Sequence, residues 1–396
     1  MYAWNTLPWK TIQVNVFKLQ KRIYQASLRN DQVSVRKLQR LLIGSWSAKA
    51  LAVRTVSQDN RGKRTAGVDG VKNITPPQRM NLIEALNLTD KTQPVRRIWI
   101  PKPGKPEKRP LGIPTLKEQA RQALAKLALE PEWEAKFEPN SYGFRPGRSA
   151  HDAIEAIFTA ICKLDKYVLD ADIKACFDRI NHQALVEKIK TFGALKHLIR
   201  NWLKAGIMEG EQLFPSEEGT PQGGVISPLL ANIALHGLET AIQKGFPISK
   251  GTAKQIAWQP TVIRYADVFI ILHRDPEALR QATQIAQNWL QAIGLELNTN
   301  KTTIRHTLRE HQEGKPGFDF LGFSVRQFPA TTKQGFKTII KPSKNSTTKH
   351  QHALKGFLRE HKHTSQEELI QRLNRKISGW AGPIISARWC RRERLA

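Results

Sequence analysis

The sequence predicts an α+β fold, with helices at both ends of the chain and a mixed strand and helix region between them. Over residues 1–55 and 115–138, apolar side chains recur at three- and four-residue spacing, the period of a helix with one buried face. From residue 166 to 330, short apolar runs bounded by turn residues alternate with helical stretches. Their order is strand–helix–strand–strand–helix–strand, the split βαβ plan of a sheet with helices on one face. A length of 396 residues and a hydrophobic content of 40%, with 15 Phe and 10 Trp, supply a sizeable core and exclude a disordered chain. No apolar run approaches the roughly 18 residues of a membrane-spanning helix. Three widely spaced cysteines, Cys162, Cys176 and Cys390, make neither a disulfide framework nor a zinc site. The N-terminal MYAWNTLPWK has neither an apolar signal core nor an Arg/Ser-rich transit pattern, so the expected location is the cytoplasm.

Taken in order, Val14, Phe17, Leu19 and Ile23, then Val35, Leu38, Leu41 and Leu42, mark basic amphipathic helices. Residues 57–73, SQDNRGKRTAGVDGVKN, read as a Gly- and Arg-rich loop. In RRIWIPKPGKPEKRPLGIP (96–114) apolar and basic residues flank a Pro/Gly turn, which predicts a β-hairpin with a cationic tip. KYVLDADI (166–173) is a short apolar strand ending in acids, and HQALVEKIKTF (182–192) is helical. TPQGGVISPLLANIALHGLETAIQ (220–243) is a glycine turn running into a long helix. TVIRYADVFIILHRD (261–275) reads as two strands around a tight turn at 265–268, and residues 276–294 as a helix closed by Gly294. LELNTNKTTIRH and FDFLGFSVRQF add short strands. Beyond Lys341 one helix is clear, residues 365–380, opened by Ser365 and Glu368 as a capping box.

The formal net charge of +29 is unevenly placed. Residues 1–110 hold 22 Lys+Arg against 6 Asp+Glu, residues 111–330 hold 26 against 24, and residues 331–396 hold 15 against 4. A solubility device would spread its charge. A polyanion lying across both flanks of a near-neutral, carboxylate-bearing middle accounts for the concentration at the two ends. Nucleic acid is therefore the expected class of partner.

Within the middle region, Asp172 ends an apolar strand and Asp267 sits in the turn between two others. Most aspartates are caps or turn residues; the apolar β context is what distinguishes these two. Carboxylates at neighbouring strand ends, helped by a backbone carbonyl such as that of Ile173, can hold hard divalent cations. Mg²⁺ favours one or two carboxylates plus substrate phosphates over an all-protein cage. A pair of such ions can activate an attacking 3′-hydroxyl and stabilise a leaving pyrophosphate.

The ordered blocks around these acids resemble a bacterial-type group II intron-encoded reverse transcriptase/maturase. TAGVDG (65–70) is similar to the family's N-terminal extension, residues 96–114 to its fingers, and SYGFRPGRSAHDAI (141–154) to the block that follows. LDADIKACFDRINH (169–182) resembles the first palm motif and GTPQGGVISPLLANI (219–233) the template-contacting motif. YADV (265–268) stands where the family has Tyr-Ala-Asp-Asp. GLELNTNKT (294–302) and FDFLGF (318–323) are similar to the closing palm blocks, and KPSK (341–344) and LNRKISGWA (373–381) to the start of the thumb or maturase region.

The resemblance implies a right-hand polymerase: a basic helical extension over 1–60, fingers and palm over 61–330, and a partial thumb over 331–396. It implies intron RNA as a splicing partner, and an RNA template, a DNA primer and dNTPs as the polymerase's substrates. Mg²⁺ is the implied cofactor, with Mn²⁺ as a possible substitute; no membrane is implied and the oligomeric state is left open. Asp172, Ile173 and Asp267 correspond to the metal site and Lys301 to a proton donor for pyrophosphate, although a surface salt bridge suits Lys301 equally. Arg97, Lys102 and Arg109 fall in fingers that close over a triphosphate. Phe177 falls at the family's steric gate against a 2′-hydroxyl, or is ordinary core packing. In Pro221-Gln222-Gly223-Gly224 the glycines let backbone approach a base pair and Gln222 can hydrogen-bond it; a plain helix-entry turn is the other reading.

Two departures stand out. Val268 replaces the second Asp of the family's turn and offers no oxygen to a metal, which should weaken cation binding. After Gly379-Trp380-Ala381 the sequence GPIISARWCRRERLA resembles neither the rest of a thumb nor a DNA-binding or nuclease region, so a truncated thumb is expected. The expectation is an impaired polymerase, with a non-enzymatic intron RNA-binding splicing factor as the alternative.

Overall fold

A computed structural model of the chain describes residues 3–101, 107–246, 258–311 and 314–385, without the side chains of Arg61, Lys63 and residues 381–385. The helices run α1 (Trp9–Leu28), α2 (Gln32–Gly44), α3 (Trp46–Arg54), α4 (Pro76–Ala85), α5 (Leu116–Glu134) and α6 (Ala150–Ile161). They continue as α7 (Cys176–Arg179), α8 (His182–Ile189), α9 (Gly193–Lys204), α10 (Ser227–Leu235) and α11 (Leu238–Lys244). The last are α12 (Pro276–Gln291), α13 (Lys344–Glu360) and α14 (Gln366–Ile385). The strands are β1 (Val95–Pro101), β2 (Lys108–Ile113), β3 (Tyr167–Asp172), β4 (Ile207–Glu209), β5 (Gln212–Phe214) and β6 (Thr261–Tyr265). After them come β7 (Val268–His273), β8 (Thr303–His306), β9 (Phe318–Phe320), β10 (Phe323–Pro329) and β11 (Phe336–Pro342). No helix among the described residues is long and apolar enough to cross a membrane.

The chain divides into two compact units. The first comprises Met1–Glu138, Lys174–Gly237 and Leu290–Glu296. In it, α1 and α2 bury Ile12, Val16, Ile23, Val35, Leu38 and Leu42 at helical spacing, and the oxygen of Asp31 caps α2 by accepting from the Ser34 N–H at 3.0 Å. Val14, Phe17 and Leu41, grouped with that stripe by sequence spacing, are instead exposed. Helix α5 is the spine against which α1, α2 and α3 pack. Its Glu132 is fully buried, taking Arg36 at 2.5 and 2.9 Å, Gln39 at 2.8 Å and Lys136 at 2.6 Å. Burial alone would raise that carboxyl, but the cations around it outweigh burial and hold it below the ordinary range. The expected hairpin of residues 96–114 is present as antiparallel β1 and β2, in a sheet of order β2-β1-β4-β5. Lys102, at its tip, lies outside the described residues.

The second unit comprises Pro139–Ile173, Leu238–Trp289 and Leu297–Ala396. Its main sheet has the order β6-β7-β3-β8, so the strand ending at Asp172 is flanked on both sides. A second sheet, β11-β10-β9, shares an apolar core with α6. That core holds Ile154, Ile157 and Ile161 from α6, Val168, Ile263 and Ile270 from the main sheet, and Phe318, Phe320 and Val325 from the second. Lys341, the expected start of the basic tail with its one helix, lies in β11 opposite Ser324. The tail also carries a helix that spacing missed: α13 buries only Phe357, so it has no apolar stripe to read. Before α14, the Ser365 hydroxyl accepts from the Glu368 N–H at 3.4 Å, one half of the expected capping box.

Candidate active site

The two acids singled out by their β context are joined through the backbone in the second unit. Strands β3 and β7 run antiparallel with Asp172 opposite Val268 and Ala171 opposite Phe269. Strands β6 and β7 close on the pair Tyr265 and Val268, leaving Ala266 and Asp267 as a two-residue hairpin turn. The Ile173 N–H donates to the Asp267 carbonyl at 3.0 Å, so the end of β3 is tied to the turn itself. On the other side the Asn298 N–H donates to the Asp172 carbonyl at 2.8 Å, and Ile173 bridges Leu297. The sheet thus fixes Asp172, Ile173 and Asp267 at one end.

Around the Asp172 carboxylate, Oδ2 accepts from Lys301 Nζ at 3.0 Å and Oδ1 from Asn298 Nδ2 at 3.5 Å. Of the two readings for Lys301, the structure contains the ion pair; its side chain is 57% exposed, so the pair itself adds little stability. Asn298 was not anticipated, because an Asn in a polar NTNKT stretch reads as an ordinary turn residue.

Alternation along β3 places Asp170 on the same face as Asp172. Burial pushes the Asp170 carboxyl up to about 6; Arg305 opposes this, while Asp172 and Asp319 add to it. A raised carboxyl binds its proton more tightly in the folded than in the unfolded chain, so it subtracts stability as pH rises from the ordinary aspartate value of 3.8 toward about 6. Asp170→Asn is therefore expected to raise the free energy of unfolding in urea at pH 7 by roughly 1–2 kcal/mol, with a higher midpoint, and to leave both unchanged near pH 4. An unchanged midpoint at both values would contradict a desolvated carboxyl.

Ala266 adopts φ 57°, a left-handed conformation that an L-residue enters only against steric strain. Replacing it by Gly relieves that strain but adds freedom to the unfolded chain, so Ala266→Gly is expected to gain only about 0.5–1 kcal/mol. Calorimetry showing a loss instead would mean that the turn's own bonds already absorb the strain. Val268 packs with Tyr265 against the apolar core, so the residue that departs from the family's turn is well accommodated by the fold.

The remaining site residues lie in the first unit. A cleft of about 250 Å³ is lined by Arg97, Pro110, Gly112, Asp178, Pro221 and Gln222, among others. Gln222 Nε2 donates to both Asp178 oxygens at 3.0 Å, which fixes the amide's orientation. Asp178 is exposed at the rim, yet the atoms packed around its carboxyl raise it; the Gln222 bond and then Arg97 and Arg109 oppose that rise. Arg97 lies 5.5 Å over the Trp99 ring and 3.8 Å from Glu209, and Arg109 is exposed opposite Ile100. The Gln222 carbonyl accepts from the Gly112 N–H at 2.6 Å, docking β2 on the glycine turn. Gly223, at φ 114°, sits where an added Cβ would lie 2.9 Å from the Gly112 oxygen, so the close approach needs glycine. Gly224 follows at the entry to α10, where an added Cβ would meet Ser227 Oγ at 2.6 Å. Phe177, in α7, is half-buried, and its carbonyl accepts from the Thr220 N–H at 2.5 Å.

Residues 100–325, more than half of the chain, match the reverse transcriptase (RNA-dependent DNA polymerase) family. The chain belongs to that family. Residues 4–86 also match the N-terminal domain of reverse transcriptase. Among curated relatives, this family member is 30% identical over 344 residues to Protein YkfC of Escherichia coli K12, covering 78% of this chain and 87% of that one. It is 40% identical over 187 residues to group II intron-encoded protein LtrA of Lactococcus lactis subsp. cremoris, covering 46% of this chain and 31% of LtrA. It is 25% identical over 352 residues to Maturase-like protein 1 of Euglena gracilis, covering 85% and 68%. The match to LtrA thus spans about a third of that protein's length. The ordered motifs and these relatives agree on a group II intron type of reverse transcriptase/maturase.

Reverse transcriptases use divalent metal ions, and the donors here can be tested against one. Among the described residues no three His, Cys, Asp or Glu side chains come together as a metal cluster. What the palm end supplies is two carboxylates and neighbouring backbone carbonyls. Such a set fits Mg²⁺ that completes its shell with substrate phosphates and water, and does not fit a closed structural site.

Proposed function

We propose that this chain is a group II intron-encoded reverse transcriptase/maturase that copies RNA into DNA and binds intron RNA to assist splicing. The observation that carries this reading is the tie between Asp172 and the Asp267 turn, through the Ile173 N–H and the Asp267 carbonyl. Asp172, Asp267 and the Ile173 carbonyl would hold Mg²⁺, or Mn²⁺ in its place. Divalent ions held there supply activation of a primer 3′-hydroxyl and charge neutralisation at the pyrophosphate. Lys301, released from Asp172, would donate a proton to the leaving group. Arg97, Lys102 and Arg109 would neutralise the triphosphate, with Phe177 excluding a 2′-hydroxyl. Pro221, Gln222, Gly223 and Gly224 would contact the templating pair. The basic segments 1–60 and 331–396, which flank the 61–330 polymerase region in sequence, would carry RNA.

Polymerisation is impaired in this reading, because Val268 leaves Asp172 and Asp267 without the second carboxylate of the family's turn. That same residue favours the second reading, an RNA-binding splicing factor without catalysis. Single-nucleotide incorporation on an RNA template with a DNA primer separates the two. The enzyme reading expects slow, template-directed incorporation that Asp172→Asn abolishes. Tight RNA binding with no incorporation by the native chain or by Val268→Asp would establish the second reading instead.

A further inference from the structure

The turn that presents Asp267 is held from beneath by a buried arginine that no sequence pattern identified. Arg264, two residues before Ala266, is 3% exposed. Its Nη1 donates to the Ala266 carbonyl at 3.1 Å and its Nη2 to Ser141 Oγ at 2.6 Å. Its backbone is tied to the same loop: the Arg264 N–H donates to the Asn140 carbonyl at 2.9 Å, and the Tyr142 N–H donates back to the Arg264 carbonyl at 2.9 Å. A second buried guanidinium, Arg145, donates to the Ser141 carbonyl at 2.7 Å and fixes that loop from its far side. Between them Gly143 lies flat on the turn. An added Cβ there would collide with the Ala266 amide nitrogen and stand 2.9 Å from the Tyr265 carbonyl carbon.

We infer that Arg264 is a positioning residue for the Asp267 turn, acting with Ser141 and Gly143 as a cradle that keeps Ala266 left-handed and Asp267 presented to a divalent cation. Its bond lands on the residue immediately before Asp267, where the backbone is strained. A charge-assisted bond is roughly twice as strong as a neutral one, so the guanidinium restrains that carbonyl more than an amide donor would. The strain at Ala266 persists because the cradle over-determines that conformation. Without it, Ala266 would relax toward ordinary β or helical dihedrals and carry the Asp267 carboxylate away from Asp172. This rests on the reading of Asp172 and Asp267 as metal ligands.

Mn²⁺ binding to the full-length chain, followed by electron paramagnetic resonance without nucleotide, tests it. Arg264→Met should weaken Mn²⁺ about tenfold, Arg264→Lys should fall between it and the native chain, and Gly143→Ala should weaken Mn²⁺ with the arginine intact. In the Val268→Asp background the same changes should lower kcat for primer extension about 10- to 100-fold, with KM for dNTP within about twofold. If Arg264→Met does not fold, Ser141→Ala, which removes one acceptor and little volume, takes its place. A folded variant that melts earlier but binds Mn²⁺ like the native chain would overturn the inference and leave Arg264 a purely structural residue. If Asp172→Asn also leaves Mn²⁺ binding unchanged, the metal-site reading fails as a whole and the inference with it.

Discussion

Val268→Asp raises RNA-templated primer extension by about 100-fold or more, the factor that a few kcal/mol of recovered transition-state stabilisation implies. The register makes this specific. Position 268 lies directly opposite Asp172 on β3, so its side chain projects from the same face of the sheet, with Cβ atoms roughly 4.5–5.5 Å apart. A carboxylate there stands beside Asp172 and next to Asp267 in sequence, where a divalent cation can use it. Without metal the new charge is unfavourable, since it adds to Asp172 and Asp170 and replaces a methyl-bearing side chain packed on the apolar core. The variant should therefore lose about 1–2 kcal/mol of stability as it gains activity, and regain part of it in Mg²⁺. Extension by the native chain equal to that of Val268→Asp would remove position 268 from the chemistry.

Binding to RNA should weaken steeply with salt. With several phosphate contacts from each flank, affinity is expected to fall by about 10³-fold or more between 50 and 200 mM salt. Residues 1–60 cannot simply be deleted to locate these contacts. Helices α1 and α3 pack on α5, and the Ser27 hydroxyl donates to the Glu132 carbonyl at 2.9 Å, so removing them would strip the first unit's core. The sharper probe is charge alone. Lys10, Lys18, Lys21 and Arg22 are all exposed on α1, beside the exposed Val14 and Phe17. Replacing the four by Gln should reduce the slope of log K against log[salt] by up to about 3 while leaving the melting temperature unchanged. An unchanged slope would place the contacts elsewhere.

Much of the fold was legible because it depends on short-range patterns. The hairpin of β1 and β2, the turn between β6 and β7 and the close of α12 near Gly294 each follow from turn residues between apolar runs. Asp172 and Asp267 stood out because acids at the ends of apolar strands are costly unless they serve something. The supports of the site were not legible, since they are long-range. Arg264 sits in an apolar strand, where spacing alone suggests an outward-facing cation, and only the fold shows it turned inward onto Ser141 and Ala266. Ala266 gives no local sign of a left-handed conformation, because that signal is usually carried by Gly or Asn. Asp178 reads as one more acid in a helix-entry segment until Gln222, far along the chain, donates to it. Helix α13 was missed for the opposite reason: with only Phe357 buried, it carries no apolar stripe to leave a pattern.

The most direct test of a palm weakened at one position is the number of divalent ions it holds during the reaction. Mn²⁺ can be counted by electron paramagnetic resonance in the complex with an RNA template, a chain-terminated DNA primer and the next dNTP, for the native chain and for Val268→Asp. One tightly held ion and a second at least tenfold weaker are expected in the native chain, with both tight in Val268→Asp. Two ions held equally tightly by both proteins would contradict a metal site impaired by Val268.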